Sequence, residues 1–244
     1  MIDTIAEKTI TLVVVALDEE ILIEETVQSI LLCVPQYFQD YEIILVNDGS
    51  TDNTGQLMDA LAIAHEKIKV LHNVGNIGLG ASFQRALKEA QFEYFMMLCG
   101  DGGLPAESLP AIFNQVGTVD IVIPYMSNLM NIKSFSRYWI SRTYTMLLNV
   151  FFNQKLHYYN GLPLYRVALL QQIQIISSGF GFQGEILTKL LKAGCSYVEV
   201  EVLGSEKANR SRALGVVSFL NVTKTFINLV LEIALFNPSS IKRV

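Results

Sequence analysis

The chain has 244 residues, 51% of them apolar, ample for one large domain whose core needs neither disulfides nor metals as staples. A net charge of -5 argues against a general nucleic-acid binder. Cys33, Cys99 and Cys195 are widely spaced, with no metal-ligand or C-x-x-C pattern. They read as reduced thiols, and the acidic start "MIDTIAEKTI" lacks a signal peptide's bases and apolar run, so the expected location is the cytoplasm.

In chain order, "TLVVVAL" is an apolar β-branched strand and "EEILIEETVQSILLCV" a helix by its apolar spacing. "YEIILVND" is the next strand, stopped by "GSTDNTG", where Ser50, Thr51 or Asp52 can cap the helix "GQLMDALAIAHE". "KIKVLHN" is a third strand, "GNIGLGASFQRALKEA" a glycine loop entering a helix, and "YFMMLC" a fourth strand. "AESLPAIFNQV" reads as a short helix and "DIVIPY" as a fifth strand. Alternating apolar strands and helices predict an α/β fold, a mostly parallel sheet flanked by helices on both faces. Residues 1–125 form one half of it.

Residues 126–215 change character. "IKSFSRYWISRTYTMLLNVFF" is a long amphipathic helix, "LHYYNGLPLYR" a loop or short strand, "GFGFQGEILTKLLKAG" a turn and helix, and "SYVEVEVLG" a strand. Residues 216–244 close the chain as an amphipathic helix and tail, interrupted by Lys224 and Glu232 and so unsuited to spanning a bilayer. Between Ile121 and Gly184 there is no acid, yet Lys133, Arg137, Arg142, Lys155 and Arg166 fall there. Lys207, Arg210 and Arg212 follow in "EKANRSRALG". A basic second half in an acidic chain suits an anionic ligand or a membrane surface, to which the two amphipathic helices would bind peripherally.

Ligands of such sheets bind beyond the carboxyl ends of the strands. Asp18, Asn47, Asp48, the 73–80 loop and Asp101 all lie at those ends. Asp18 or Asp48 can accept a nucleobase N–H or ribose hydroxyl in a charge-assisted bond, or else shape a turn. The glycine loop can present backbone N–H groups to an anion at a helix N-terminus. Glu185 can act as a base or cap its helix. His65, His72 and His157 have no metal-site spacing.

Taken together, "TLVVVALDEEILIEETVQSI", "YEIILVNDGSTDNT", "HNVGNIGLGASFQRAL" and the acid after "FMML" resemble the GT-A glycosyltransferases of family 2. "YYNGLPLYR", "GFGFQGEILTKLLKAG" and "EKANRSRALG" resemble its polyprenyl-phosphate branch, to which dolichol-phosphate mannose synthase belongs. The resemblance covers nearly the whole chain. It implies a GT-A, Rossmann-like fold with a nucleotide-sugar half and an acceptor half. The implied reaction is inverting transfer of a sugar from a UDP- or GDP-linked donor to a polyprenyl phosphate or similar lipid.

The resemblance further implies that Ala16, Asp18, Glu20, Asn47, Asp48, Asn76, Gly78, Gly100, Asp101 and Lys207 bind the donor. It places Asp101, Gln183, Glu185, Arg210 and Arg212 at the catalytic and acceptor side. The family's Asp-x-Asp, which shares Mg2+ or Mn2+ with the donor diphosphate, falls here on Cys99, Gly100 and Asp101, leaving Asp101 as the metal ligand. A hard cation prefers oxygen to a thiol, but one carboxylate can suffice when phosphates and water complete the shell. Two other readings stay open: a soluble or protein acceptor, and a non-catalytic protein binding a nucleotide sugar or a membrane partner.

Overall fold

The structure, a computed structural model, describes residues 8–179, 181–205 and 219–242. Seven strands form one sheet in the order β3-β2-β1-β4-β6-β5-β7. They are β1 (Thr9–Ala16), β2 (Asp40–Asn47), β3 (Ile68–His72), β4 (Tyr94–Cys99), β5 (Ile121–Met126), β6 (Leu164–Arg166) and β7 (Tyr197–Val202). Every pairing is parallel except those of β6, which runs against both β4 and β5. The strand expected at 94–99 is found there, and the "loop or short strand" before Arg166 resolves into the three-residue β6.

β1 is central, and Ile10 to Ala16 are all buried, as an uninterrupted run of apolar and β-branched residues covered on both faces requires. The helices α1 (Ile23–Cys33), α2 (Thr54–Ala64) and α3 (Leu79–Glu89) connect the first four strands. They turn Ile23, Val27, Ile30, Met58, Phe83 and Ala86 into the same core cluster. Register decides where the polar residues end up. Ala16 pairs with Asn47, Asn47 with His72, and Val15 with Cys99, so these strands finish along one edge.

The second half supplies α5 (Leu129–Ile132), α6 (Phe135–Phe152), α7 (Val167–Leu170), α8 (Phe182–Lys192) and α9 (Phe219–Leu235), after the short α4 (Leu109–Phe113). The long helix expected over 132–152 is α6, which starts three residues later because Lys133 and Ser134 adopt extended backbone after the short α5. Since β6 and β7 pair with β4 and β5, both halves of the chain share one sheet. Helix α8 is buried from Phe182 to Leu191, including Gln183, Glu185, Thr188 and Lys189. An ordinary amphipathic helix would leave such residues on a wet face.

Candidate active site

At the sheet edge the turns after β1 and β2 are stapled together. Asp18 sits in the left-handed region (φ 55°), which Asp tolerates better than most residues. Its amide donates to Ser50 Oγ (3.0 Å), and its Oδ1 accepts from the Thr51 amide (2.8 Å). Glu20 Oε2 accepts from the Asn53 backbone (3.0 Å) and side-chain (2.9 Å) nitrogens, while the Glu19 amide donates to Thr54 Oγ1 (2.8 Å). None of the three candidates sits at the cap position, which is Asn53, but Asp52 just before it accepts from the Thr54 amide at the start of α2 through Oδ1 (2.9 Å). Burial pushes the Asp52 carboxyl up, but the Thr54 hydroxyl and the Thr54 and Glu20 amides outweigh it and hold it below its ordinary range. Among the described residues no donor reaches Asp18 Oδ2.

Asn47 and Asp48 are nearly closed off from solvent. Asn47 Oδ1 accepts from the Ser50 amide (2.9 Å), and its Nδ2 lies 3.1 Å from His72 Nδ1, whose Nε2 faces Asp59 (3.0 Å). Asp48 Oδ1 accepts from Asn73 Nδ2 (2.8 Å), Ser82 Oγ (3.0 Å) and the Ile77 amide (3.1 Å), and Oδ2 accepts from the Gly78 amide (3.2 Å). Both oxygens therefore hold the glycine loop against β2. A nucleobase would have to compete with those donors, so Asp48 acts here as the loop's anchor. Gly49 makes the close approach possible: at φ 82°, a Cβ there would lie 2.4 Å from the Gly75 carbonyl carbon.

The glycine loop itself corrects an expectation. The amides of Ile77, Gly78, Gly80 and Ala81 are taken up within the chain rather than left open to an anion at the N-terminus of α3. Gly78 donates to Asp48 and to Asn76 Oδ1 (2.9 Å), while Gly80 (2.7 Å) and Ala81 (3.2 Å) both donate to the Ser178 carbonyl. A strap of chain, residues 176–179, thus fills the helix end that the sequence pattern offers to phosphate. First-turn amides need some acceptor outside the helix, and here it comes from the same chain.

Asp101 is different. β4 ends at Cys99, and Gly100 packs so closely on Ala16 that a Cβ there would sit 2.7 Å from Ala16 Cβ. Asp101 is 9% exposed, and its Oδ1 accepts from the Gly103 amide (2.9 Å). Burial raises the carboxyl above its ordinary value, and the Gly103 and Asp101 amides only partly offset this. The Cys99 thiol is pushed well above its usual value by burial and by the Asp101 and Glu19 carboxylates. It stays protonated at neutral pH and does not fit a hard divalent ion. Asp101, under-compensated where it lies, fits as that ion's single protein ligand. Among the described residues no group of three or more His, Cys, Asp and Glu is placed to hold a metal. The Ser205 amide donates to the Gly103 carbonyl (3.0 Å), which brings the chain leaving β7 to this turn. Lys207, Arg210 and Arg212 lie outside the described residues.

Glu185 is neither a free base nor a simple helix cap. It is fully buried, with Oε1 accepting from the Ile176 amide (2.9 Å) and Lys189 Nζ (2.7 Å), and Oε2 from the Ser177 amide (2.9 Å). Burial pushes its carboxyl up, but Lys189 and the strap's donors prevail, leaving it below its ordinary value. With both oxygens engaged by the strap and Lys189, this carboxylate is committed to holding structure and is a poor proton acceptor. Gln183, beside it and buried, has no partner for Oε1 among the described residues. A cavity of about 470 Å³ lies between the strap, the start of α8 and α9, with Leu231, Leu235 and Glu232 on its far wall.

Sequence reasoning missed Asn73, Ser82, Ser178 and Lys189. Asn73 ends a strand as Asp48 does, and Lys189 stands four residues after Glu185, the spacing of a helical ion pair. Those two carried a signal; the carbonyl of Ser178 carried none.

The model of the glycosyl transferase family 2 domain matches residues 11–174. Glycosyltransferase GlyG of Streptococcus pneumoniae is 32% identical over 85 residues, 35% of this chain and 28% of that protein, so the match spans little more than a quarter of GlyG. The undecaprenyl-phosphate mannosyltransferase of Micrococcus luteus is 27% identical over 177 residues, 68% of this chain and 72% of the relative. Glucosyl-3-phosphoglycerate synthase of Mycobacterium tuberculosis, solved with Mg2+ and uridine diphosphate, superposes with a TM-score of 0.70 at 19% identity. That superposition covers 92% of this chain and 80% of that one, and it shows the GT-A fold.

Proposed function

The chain belongs to glycosyl transferase family 2, and we propose that it moves one sugar from a nucleoside diphosphate sugar to a lipid phosphate, with inversion. The observation that carries this is Asp101, buried with no side-chain donor among the described residues at the edge where β1, β2 and β4 end. The donor lies along that edge. The stapled turns around Asp18 and Asn47 receive the nucleoside, with Asp18 Oδ2 available to a base or ribose donor, while the anchored 76–80 loop flanks it. Rigid turns hold the donor in one orientation, and orientation is a large part of what this chemistry requires.

Mg2+ or Mn2+, held by Asp101 together with the donor's phosphate oxygens, would supply charge stabilisation for the departing diphosphate. Lys207, Arg210 and Arg212 are assigned to the same negative charge or to the acceptor phosphate. One phosphate oxygen of the acceptor bonds to the anomeric carbon as the bond to the diphosphate breaks on the opposite face. An anionic acceptor brings no proton to remove, which agrees with a Glu185 whose two oxygens are engaged within the chain.

A lipid acceptor is supported by the surface of the second half. On α6, Phe135, Trp139, Met146 and Val150 are exposed, and at helical spacing they form one stripe. On α9, which meets α6 through Phe151 and Phe226, Ile227, Leu231 and Leu235 form another. Arg142 is exposed among them and Arg137 half-buried. Lys133 is turned inward, its Nζ donating to Tyr158 Oη (2.6 Å), and the Lys224 side chain lies outside those described. Among the described residues no helix is long and apolar enough to cross a membrane, so the contact proposed is peripheral.

Calorimetry with UDP- and GDP-linked sugars, with and without Mn2+, followed by transfer to polyprenyl phosphate in anionic vesicles, tests this. The expected result is metal-enhanced donor binding and a glycosylated lipid of inverted anomeric configuration. No binding of any donor would overturn the enzyme reading in favour of a non-catalytic partner.

A further inference from the structure

We infer that Glu185 and Lys189 are positioning residues that set the donor-side glycine loop from inside the second half, and that the C-terminal helix α9 is tied to that loop through them. The path is continuous. Glu232 on α9 lies 3.4 Å from Lys189 Nζ, and Lys189 donates to Glu185 (2.7 Å) and to the Gln174 carbonyl (2.7 Å). Glu185 takes the amides of Ile176 and Ser177, which fixes the strap, and the next residue's carbonyl takes the amides of Gly80 and Ala81. Contact is tight at this last step: a Cβ on Gly80 would lie 2.5 Å from the Ser177 carbonyl oxygen, and one on Gly78 2.8 Å from that of Ser178.

The chemistry explains why this is more than packing. Lys189 and Glu185 are almost fully buried, and an ion pair replaced by apolar residues of similar shape would often be no less stable. What the pair uniquely supplies is orientation: a carboxylate with both oxygens aimed at consecutive strap amides. Asp48 holds the other side of the same loop from β2. The 77–81 segment is thus clamped between the two halves, and one jaw is connected to α9. Because α9 carries an exposed apolar stripe, whatever covers that stripe acts on the helix that carries Glu232. The inference rests on the reading that the glycine loop flanks the donor.

Hydrogen exchange on the full, ligand-free chain tests the clamp without requiring donor binding or turnover. In Glu185→Gln, one jaw loses its charge and presents a donor to a strap amide. Gly80 and Ala81 should then exchange about tenfold faster or more, with the amides of β1 and β2 unchanged. Glu232→Ala, at a half-buried position, should quicken the same amides by about threefold. Unchanged exchange at Gly80 and Ala81 in both folded variants overturns the inference, and so does uniform acceleration through β1 and β2, which would mark a general stabilising role. If Glu185→Gln does not fold, Glu232→Ala decides by the same two criteria. Uridine and guanosine diphosphate titrations on the same samples separate the two ideas. A loosened loop with unaltered nucleotide affinity keeps the clamp and removes the loop from the donor site.

Discussion

Asp48 and Asp101 follow the strands on either side of β1, and both are almost excluded from solvent, 4% and 9% exposed. Four internal donors reach the first: two amides, an asparagine side chain and a serine hydroxyl. Only the Gly103 amide and the residue's own reach the second, which burial leaves with a raised affinity for a proton. Burial alone therefore does not tell a structural acid from a ligand-binding one. Saturation differs between them: Asp48's oxygens are filled from within and hold the loop, while those of Asp101 are left short, which is what its proposed metal role rests on. Glu185, with two amides and an ammonium on its carboxylate, stands with Asp48.

The comparison breaks most easily at Asp48. Asp48→Ala strands the donors of Asn73, Ile77, Gly78 and Ser82 in a closed site, and unfolding in urea should show a loss of about 3 kcal/mol or more. A loss under about 1 kcal/mol would mean that the loop does not depend on this acid. Asp101→Asn should do the reverse. It removes an under-compensated buried charge, so the ligand-free melting temperature should rise at neutral pH. Transfer should meanwhile fall by about a hundredfold in kcat/KM, and donor binding should lose its response to Mn2+. A variant that keeps its metal response would remove Asp101 from the ligand role.

A smaller effect separates the acids by pH. The folded-state carboxyl of Asp101 is raised, so its contribution to stability is full below the ordinary carboxylate value and is lost as pH rises through the raised one. The folded-state carboxyl of Glu185 is lowered, so its contribution is present above the ordinary value and is lost as pH falls through the lowered one. In thermal melts, Asp101→Asn should gain on wild type as pH rises from the ordinary carboxylate value towards neutrality. Glu185→Gln should lose a constant amount over that range and lose less only below the ordinary carboxylate value. Parallel curves for Asp101→Asn above the ordinary carboxylate value, or for Glu185→Gln below it, would refute the respective assignment.

How far the sequence discloses this follows from range. Strands such as Tyr94–Cys99 are legible because burial on both faces needs an unbroken apolar run, and the polar residues that stop such runs mark the edge. Asp101 is legible for the same reason, whereas Cys99 standing in place of an acid is what the resemblance to the family implies. Saturation is not, because its donors come from far along the chain: Asn73 and Ser82 reach Asp48, and Ser178 reaches Gly80 across nearly a hundred positions. A glycine-rich helix start looks identical whether its amides await a phosphate or already hold a carbonyl. Short β6 is legible only as a loop or short strand, since three residues between stronger neighbours carry no period.

Asp52 supplies the mildest test, because it is a well-partnered acid outside the core. Its Oδ1 takes the Thr54 amide and its Oδ2 the Glu20 amide (3.3 Å), so it joins the turns after β1 and β2 while half-exposed. Water can replace what a substitution removes, unlike at Asp48, so Asp52→Ala should cost about 1 kcal/mol, the usual worth of a helix cap. Asp52→Ser can restore the bond to Thr54 but is too short to reach Glu20 as well, and it should recover about half of that loss. If donor binding weakens in Asp52→Ala by more than its stability falls, the staple orders the nucleoside turn as well as supporting it. Equal small changes in both would leave Asp52 as a support for the start of α2 and nothing further. Titration calorimetry and urea melts on the same preparations measure the two quantities side by side.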